Sequence, residues 1–165
     1  MKIDEIEKLR IGELLQYTGE LIVMRDAAHQ KLLELLSKNS QLPVDLNEKI
    51  VFYAGPANPP KNSRIGAIGP TTSERMDKYL EMIFKLGVLG TVGKGKRSDL
   101  AVKLCIKYKR VYFITPSGAA AYLSKCVKDI RVLAFPELGP EAIYNINVED
   151  FPLMVAIDTN GNQIF

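Results

Sequence analysis

Segments with the apolar, β-branched composition of strands alternate along this chain with segments whose apolar residues recur at helical spacing. The predicted strands cover residues 13–17, 20–24, 50–54, 64–68, 88–92, 111–115 and 132–135, and the predicted helices cover 26–38, 73–85, 98–107 and 118–126. This alternation predicts an α/β fold, and the turn at Asn160 and Gly161 predicts a terminal hairpin. Because the sequence contains no repeat and no linker, we expect one domain over residues 1–165.

The charge and hydropathy of the chain limit its partners. The net charge is +3 and the isoelectric point is about 8.8, with lysines and arginines spread among the acidic residues. This mild, dispersed basic balance gives no support to a nucleic-acid partner. No apolar run reaches the ~18 residues of a membrane span, and residues 1–10 do not resemble a signal peptide. We therefore expect a cytoplasmic protein without a membrane partner.

The segment 64–77, with the sequence RIGAIGPTTSERMD, is the richest candidate for an anion site. It runs from a glycine-punctuated stretch into a predicted helix, whose first N–H groups lack partners and whose dipole is positive there. Thr71, Thr72 and Ser73 add hydroxyl groups at the same point. Arg75 adds a planar guanidinium that can hold a carboxylate or a phosphate through two hydrogen bonds.

Two further clusters carry cations. Arg25 lies at a predicted strand-to-helix junction, where α/β proteins place ligand groups, and Asp26 and His29 follow it. His29 is the only histidine, and a lone histidine is more often a surface or core residue than a functional one. In the third cluster, Lys94 lies between two glycines and can extend into a shared site as a point charge.

Each cluster also has a structural interpretation. Thr71 and Glu74 match the capping box, in which a hydroxyl and a carboxylate satisfy backbone N–H groups. Asp26 and Arg25 could simply pair with each other, and residues 93–97, GKGKR, could form a solvated basic turn. The same turn suggests a stand-alone phosphate- or nucleotide-binding module, although the phosphate-loop pattern fails there.

The residue types also exclude several kinds of site. The two cysteines, Cys105 and Cys126, lie apart among apolar residues, which is typical of buried thiols. An iron–sulfur cluster normally needs three or four cysteine ligands, and one histidine with two distant cysteines makes no metal site. A serine nucleophile triad lacks its sequence context. The sequence therefore indicates half of an active site, with cations and hydroxyls for an anion.

Several motifs together resemble one family. They are RDAAH at 25–29, YAGP at 53–56, GPTTS at 69–73, RMD at 75–77, GKG at 93–95, EAIY at 141–144, VEDFP at 148–152 and VAID at 155–158. In these motifs the chain resembles the β subunit, or C-terminal domain, of class I iron–sulfur fumarases and the related L-tartrate dehydratases. The resemblance implies a swivelling β/β/α domain, with three layers and a mixed sheet.

The resemblance also implies roles for individual residues. It assigns proton transfer to Thr71, and substrate binding to Arg25, Arg75 and Lys94. Supporting roles go to the neighbouring residues Asp26, His29, Thr72 and Ser73. No metal or other cofactor is expected on this chain, since the family's 4Fe–4S cluster belongs to a separate α subunit.

The function that follows is that of the β subunit of a two-subunit hydro-lyase acting on a C4 dicarboxylate. Reversible hydration of fumarate to L-malate is the leading expectation, and L-tartrate is the alternative substrate. We expect a cluster-bearing α subunit as partner and a higher αβ oligomer. Besides the hydro-lyase and the stand-alone binding module, a third hypothesis is a scaffolding subunit, whose cations stabilise an interface without contacting substrate.

Overall fold

Six strands form the sheet of the computed structural model, which describes residues 1–61 and 65–165. The strands are β1 (Leu14–Val23), β2 (Ile50–Phe52), β3 (Gly90–Gly93), β4 (Val111–Ile114), β5 (Val127–Ala134) and β6 (Ile143–Ile157). The helices are α1 (Ile3–Ile6), α2 (Asp26–Ser37), α3 (Asp77–Lys85), α4 (Asp99–Tyr108) and α5 (Ala120–Cys126). Short 3-10 turns at Glu74–Met76 and Pro136–Glu141 precede α3 and β6. Among the described residues, none of the helices has the length and apolar character needed to cross a membrane.

The sheet is closed by its longest strand. β1, β2, β3 and β4 pair in parallel in that order, whereas β6 runs antiparallel to β1, β4 and β5. Because β6 pairs with both β1 and β4, these five strands form a ring, and β5 is attached to β6 outside it. Parallel strands joined through helices, with antiparallel strands at one side, are an α/β arrangement with a mixed sheet, as predicted.

Side-chain alternation along the parallel strands divides the core into two apolar clusters. On β1, Ile22 belongs to the cluster that also contains residues of α2, α3 and α4, whereas Leu21 and Val23 belong to the other cluster. Successive strand residues point to opposite faces, so the two clusters lie on opposite sides of the sheet. The second cluster is completed by β6, for example by Phe151 and Leu153. The result is the predicted three-layer order of helices, parallel strands and a second β layer.

Three local expectations need correction. Residues 13–17 and 20–24 are one strand, β1, because β6 pairs with it along its whole length, with a register shift between Tyr17 and Gly19. The strand expected at 64–68 begins at Arg64, which lies outside the described residues, and 65–68 follow a loop path. Gly66 permits the close approach of this loop to Ala57, since a Cβ there would lie 1.8 Å from the Ala57 carbonyl oxygen. The C-terminal hairpin is a short turn closed by one bridge between Ile157 and Gln163.

His29 is a fully buried polar residue of the helix-side cluster. Its ring stacks on Tyr79, with 5.4 Å between the ring centroids, and is tilted against Tyr53 at 5.6 Å. Its Nδ1 lies 2.7 Å from the Arg25 carbonyl oxygen, an acceptor, so Nδ1 carries the proton. Nε2 has no hydrogen-bond partner among the described residues. Burial lowers the pKa of His29 to about 4, which keeps the ring neutral at pH 7.

This burial predicts that acid destabilises the chain before its carboxylates titrate. An unfolded histidine binds its proton near pH 6.5, whereas the folded one binds it near pH 4. The free energy of unfolding should therefore fall as the pH drops from 6.5 to 4, by as much as about 3 kcal/mol. Urea unfolding at several pH values measures this slope. In His29→Asn, whose amide still donates a hydrogen bond but does not titrate, the slope between pH 6.5 and about 5, above the range in which carboxylates titrate, should disappear. Parallel profiles for the two proteins in that range would contradict the assignment.

Candidate active site

The predicted site residues gather at the carboxyl ends of the parallel strands. Arg25 and Asp26 follow β1, Gly55 lies just after β2, and Lys94 follows β3. In α/β proteins ligands bind at the carboxyl ends of the parallel strands, because the loops leaving neighbouring strands converge there. The structure therefore brings together groups that are up to 69 positions apart in the sequence, counting from Arg25 to Lys94.

The segment from Pro70 to Ser73 lies across the ends of β2 and β3. The Thr71 N–H donates to the Tyr53 carbonyl over 2.8 Å, and the Ser73 N–H donates to the Lys94 carbonyl over 3.1 Å. In return, the Lys94 N–H donates to the Thr71 carbonyl over 3.3 Å. The hydroxyl residues and Lys94 are thus tied together through their backbones. Their mutual placement follows from strand pairing and does not depend on side-chain flexibility.

The same contacts correct the expected helix N-terminus. The N–H groups of Thr71 and Ser73 already have carbonyl partners, and α3 begins only at Asp77, after the 3-10 turn. The capping box is also absent, since no side chain caps this turn and Thr71 Oγ1 accepts from Arg75 instead of from the backbone. What remains for an anion is the side-chain chemistry of the segment, its hydroxyls and its guanidinium.

Asp26, Arg75 and Thr71 form one hydrogen-bonded network. The Arg75 Nε–H lies 2.9 Å and 3.0 Å from the two carboxylate oxygens of Asp26, and Arg75 Nη2 donates to Thr71 Oγ1 over 2.6 Å. Partial burial opposes ionisation of Asp26, but the hydrogen bond and charge of Arg75 outweigh it and hold the Asp26 pKa below its usual value. The network is 43% exposed at Arg75 and 39% at Asp26, so a ligand can reach it.

Arg25 is held by a different carboxylate. Its Nε lies 3.2 Å from Glu141 Oε1, in an ion pair without hydrogen-bond alignment. Gly55 permits this packing, since a Cβ there would lie 2.8 Å from the Pro140 carbonyl oxygen and 3.4 Å from Arg25 Nε. Both candidate arginines are therefore approached by a carboxylate at Nε. The far edge of each guanidinium points away from that carboxylate.

Lys94 has no such counter-ion. Within residues 1–61 and 65–165 its ammonium group makes no hydrogen bond and no ion pair. It lines a cavity of about 360 Å³ with the polar Thr115 and Ser117 and with apolar residues such as Ile114 and Met154. A half-buried, unneutralised cation at an apolar cavity favours an anionic ligand, because low dielectric strengthens the attraction.

The remaining predicted residues divide by burial. Thr72 is exposed, whereas Ser73 is fully buried. Ser73 fits against Gly93 so closely that a Cβ at residue 93 would lie 1.9 Å from Ser73 Oγ. Ser73 Oγ also lies 3.0 Å from the Tyr112 hydroxyl, which lies 2.9 Å from the Gly95 carbonyl oxygen. In this conformation Ser73 and His29 lie inside the protein, beneath the exposed groups of the site.

A buried ion pair that was not predicted from the sequence lies under the site. Arg97, expected in a solvated basic turn, has no exposed side-chain surface and donates through Nε to Asp77 over 2.5 Å. The reading of residues 93–97 as a solvated turn is therefore wrong for Arg97. A signal was present: Asp77 shares one face of α3 with Leu80 and Phe84, at helical spacing. An acid on an apolar helix face requires a buried partner.

The described part of the chain holds no group of three or more His, Cys, Asp or Glu side chains that could bind a metal ion. Cys105 and Cys126 are free, buried thiols, as predicted. Burial raises the pKa of Cys105 to about 12, so this thiol stays protonated.

The family match and the similar proteins agree on one family. The family described as Fumarase C-terminus matches residues 1–165. A putative L(+)-tartrate dehydratase subunit beta of Methanocaldococcus jannaschii is 40% identical, over 98% of this chain and 86% of that protein. The L(+)-tartrate dehydratase subunit beta of Escherichia coli is 36% identical, over 99% of this chain and 83% of its own length.

Longer relatives share the same region. The anaerobic class I fumarate hydratase of Escherichia coli is 37% identical over 98% of this chain, and fumarate hydratase 2 of Leishmania major is also 37% identical over 98%. The chain spans only 30% and 29% of the lengths of these two proteins. The matches confirm the resemblance drawn from the motifs: the chain belongs to the Fumarase C-terminus family, whose members here are class I fumarate hydratases and β subunits of L(+)-tartrate dehydratases.

Proposed function

We propose that this chain is the β subunit of a two-subunit hydro-lyase that adds water to a C4 dicarboxylate and removes it again. The observation that carries the proposal is the placement of Arg25, Arg75 and Lys94 on the loops of one sheet edge, where Arg75 donates to the Thr71 hydroxyl and the Lys94 backbone pairs with the Thr71 segment. Three cations suit a substrate with two carboxylates and developing negative charge. The relatives matched over most of their length are themselves named as β subunits.

Hydration of fumarate to L-malate is our first assignment of substrate. L-tartrate is the second, and it is favoured by the two β-subunit relatives, both named as tartrate dehydratases. The two reactions differ by one hydroxyl on the substrate and use the same groups of this chain. The whole chain, residues 1–165, acts as one domain in this proposal.

Metal chemistry is assigned to the partner subunit. The two cysteines of this chain are buried, and its described residues do not fit the ligation of a cluster. We place the 4Fe–4S cluster on a cluster-bearing α subunit, and the site edge of this chain against it. The subunits act in the cytoplasm in this proposal and form a higher αβ oligomer.

The cations of this chain bind and polarise the substrate. Arg75 is held by Asp26 through Nε and by Thr71 through Nη2, so its orientation is fixed before the substrate arrives. When a proton leaves the carbon beside a carboxylate, negative charge builds on that carboxylate. Preorganised cations stabilise this charge without the reorganisation that water would require, and Lys94, which lacks a counter-ion among the described residues, is the most available of them.

Thr71 moves the carbon-bound proton. Its Oγ1 accepts a hydrogen bond from Arg75, so its own proton points elsewhere and can be given to the substrate carbon. The guanidinium beside it stabilises the deprotonated oxygen, which can take the proton back in the reverse direction. An alcohol is normally a weak base, and the contact with Arg75 supports the assignment because a cation favours the deprotonated oxygen.

The proposal predicts activity that needs both chains. Anaerobic co-expression with a cluster-bearing α subunit should give a complex that hydrates fumarate or dehydrates L-tartrate, while this chain alone turns over neither. The two substrates are assayed side by side on the purified complex. A stable complex inactive on both would reject both substrates, and the lack of any complex would reject the split enzyme in favour of a stand-alone binding module.

Removing the Arg75 side chain should abolish most activity without preventing assembly. We expect Arg75→Ala to lower kcat/KM by about 100-fold or more, since it loses a charge-assisted contact and frees Thr71. Arg75→Lys should recover little, because an ammonium cannot serve Asp26 and Thr71 together. Arg10→Ala is the matched control: Arg10 is exposed and donates to the Glu7 and Leu9 carbonyls. Near-normal turnover in Arg75→Ala would remove Arg75 from the site.

Replacing the Thr71 hydroxyl should separate proton transfer from binding. Thr71→Val keeps the shape and should reduce kcat by about 100-fold or more, whereas Thr71→Ser should stay within about tenfold of the parent. The direct measurement is the exchange of deuterium between solvent and the product carbon, followed by NMR. If Thr71→Val exchanged deuterium at the parent rate, another group would be moving the proton.

A further inference from the structure

Arg97 is the largest side chain that is fully buried in the described part of the molecule, and the proposed mechanism does not use it. Its Nε donates to Asp77 over 2.5 Å and its Nη1 donates to Thr91 over 3.1 Å. The guanidinium also lies over the rings of Tyr112 and Tyr53, with 4.7 Å and 5.5 Å to the ring centroids. Because no surface of the side chain is exposed, Arg97 does not touch a ligand.

The partners of Arg97 come from four of the elements or loops at the site edge. Thr91 lies in β3, Tyr112 lies in β4, Tyr53 follows β2, and Asp77 opens α3. Asp77 comes two residues after Arg75, and Arg97 comes three residues after Lys94. The ion pair therefore joins the two cation-bearing segments just beyond their functional side chains.

A second attachment joins the same segments from the other side. The backbone bridge pairs Thr72, which precedes Arg75, with Lys94 itself, and the Arg97–Asp77 pair follows both cations in the sequence. Asp77 also accepts from the Ser98 N–H over 2.9 Å and from the Ser98 hydroxyl over 2.6 Å. The Lys94 loop is thus fixed at both ends, and the distance between Lys94 and Arg75 is set twice.

Stability alone is a weak reason for such a pair. Burying two charges costs several kcal/mol, and well-packed apolar replacements are often equally stable or more stable. Arg97 Nη2 has no hydrogen-bond partner among the described residues, which raises the cost further. An ion pair adds direction and fixed distance, which apolar contacts do not supply, and these are the properties that a multi-point anion site requires.

We propose that Arg97 is a positioning residue, which with Asp77 sets the distance between Lys94 and the Thr71–Arg75 segment for binding of the dicarboxylate. The catalytic part of this inference rests on the proposed function, whereas its structural part does not. Without Arg97, the Lys94 loop should separate from the Thr71–Arg75 segment more often. The substrate would then meet cations whose spacing no longer matches its carboxylates.

Hydrogen exchange tests the structural part in the full chain. In Arg97→Gln, the amide hydrogens of Ser73 and Lys94, which form the bridge, should exchange about tenfold or more faster. The His29 amide, bonded to the Arg25 carbonyl within α2, should be unchanged. Arg97→Lys, which keeps the charge, is the second variant in case Arg97→Gln is destabilised throughout. If neither variant accelerates Ser73 and Lys94 selectively, the inference is overturned.

Kinetics of the assembled complex test the catalytic part. Arg97→Gln should raise KM and lower kcat, the latter by about tenfold or more, because small errors of position are costly. Arg110→Gln is the matched control and should leave kcat and KM unchanged. Arg110 donates to the carbonyls of Val88 and Tyr108, which lie just before β3 and β4 and so at the ends opposite the site. Unchanged kinetics per assembled Arg97→Gln complex would overturn the positioning role. A parent complex that is inactive on both substrates would instead reject the proposed function and leave the exchange result standing.

Discussion

The antiparallel pairing of β1 with β6 is the contact on which the rest of the molecule depends. It runs from Leu14 opposite Met154 to Val23 opposite Tyr144, and it closes the ring of strands. With the ring closed, the carboxyl ends of β1, β2 and β3 are held side by side, and the loops that follow them have a fixed relation. The position of each candidate cation is therefore a consequence of strand pairing, and the helices pack against a frame that is already determined.

The three cations of the site edge are held in different ways. Asp26 approaches Arg75 at Nε and Glu141 approaches Arg25 at Nε, so each guanidinium has a neutralising and orienting partner. These carboxylates weaken the attraction of each arginine for an anion, but they fix the orientation of its guanidinium. Lys94, which lacks a counter-ion among the described residues, attracts an anion more strongly, but its side chain is flexible. Its loop is fixed by backbone hydrogen bonds to Thr71 and Ser73. Under the proposed function, orientation and attraction are thus supplied by different residues.

The sequence predicted the fold class well because periodicity reports directly which face of an element is buried. The helix at Asp26–Ser37 and the strand at Val111–Ile114 were found within a residue of their ends. Errors arose where pairing partners distant in sequence decide the outcome. The break expected between Tyr17 and Glu20 is only a register shift, since β6 continues across it. Gly66 lies against the Ala57 backbone, and a local sequence pattern does not predict this contact.

The sequence indicated candidate site residues, which remain a prediction, but it did not indicate their arrangement. Motif resemblance named Thr71, Arg75 and Lys94, whereas the hydrogen bond from Arg75 to Thr71 appeared only in three dimensions. Arg97 was misread because a basic run is normally solvated, and the acid that neutralises it lies 20 positions away.

The fit between Ser73 and Gly93 has a consequence for how this chain can change over time. With the Ser73 hydroxyl 1.9 Å from where a Cβ of residue 93 would lie, residue 93 cannot be enlarged unless residue 73 shrinks or moves. Gly93 precedes Lys94, and Ser73 follows the two threonines, so the constraint acts on both cation-bearing segments at once. A side chain at position 93 can therefore be acquired in evolution only together with a change at position 73.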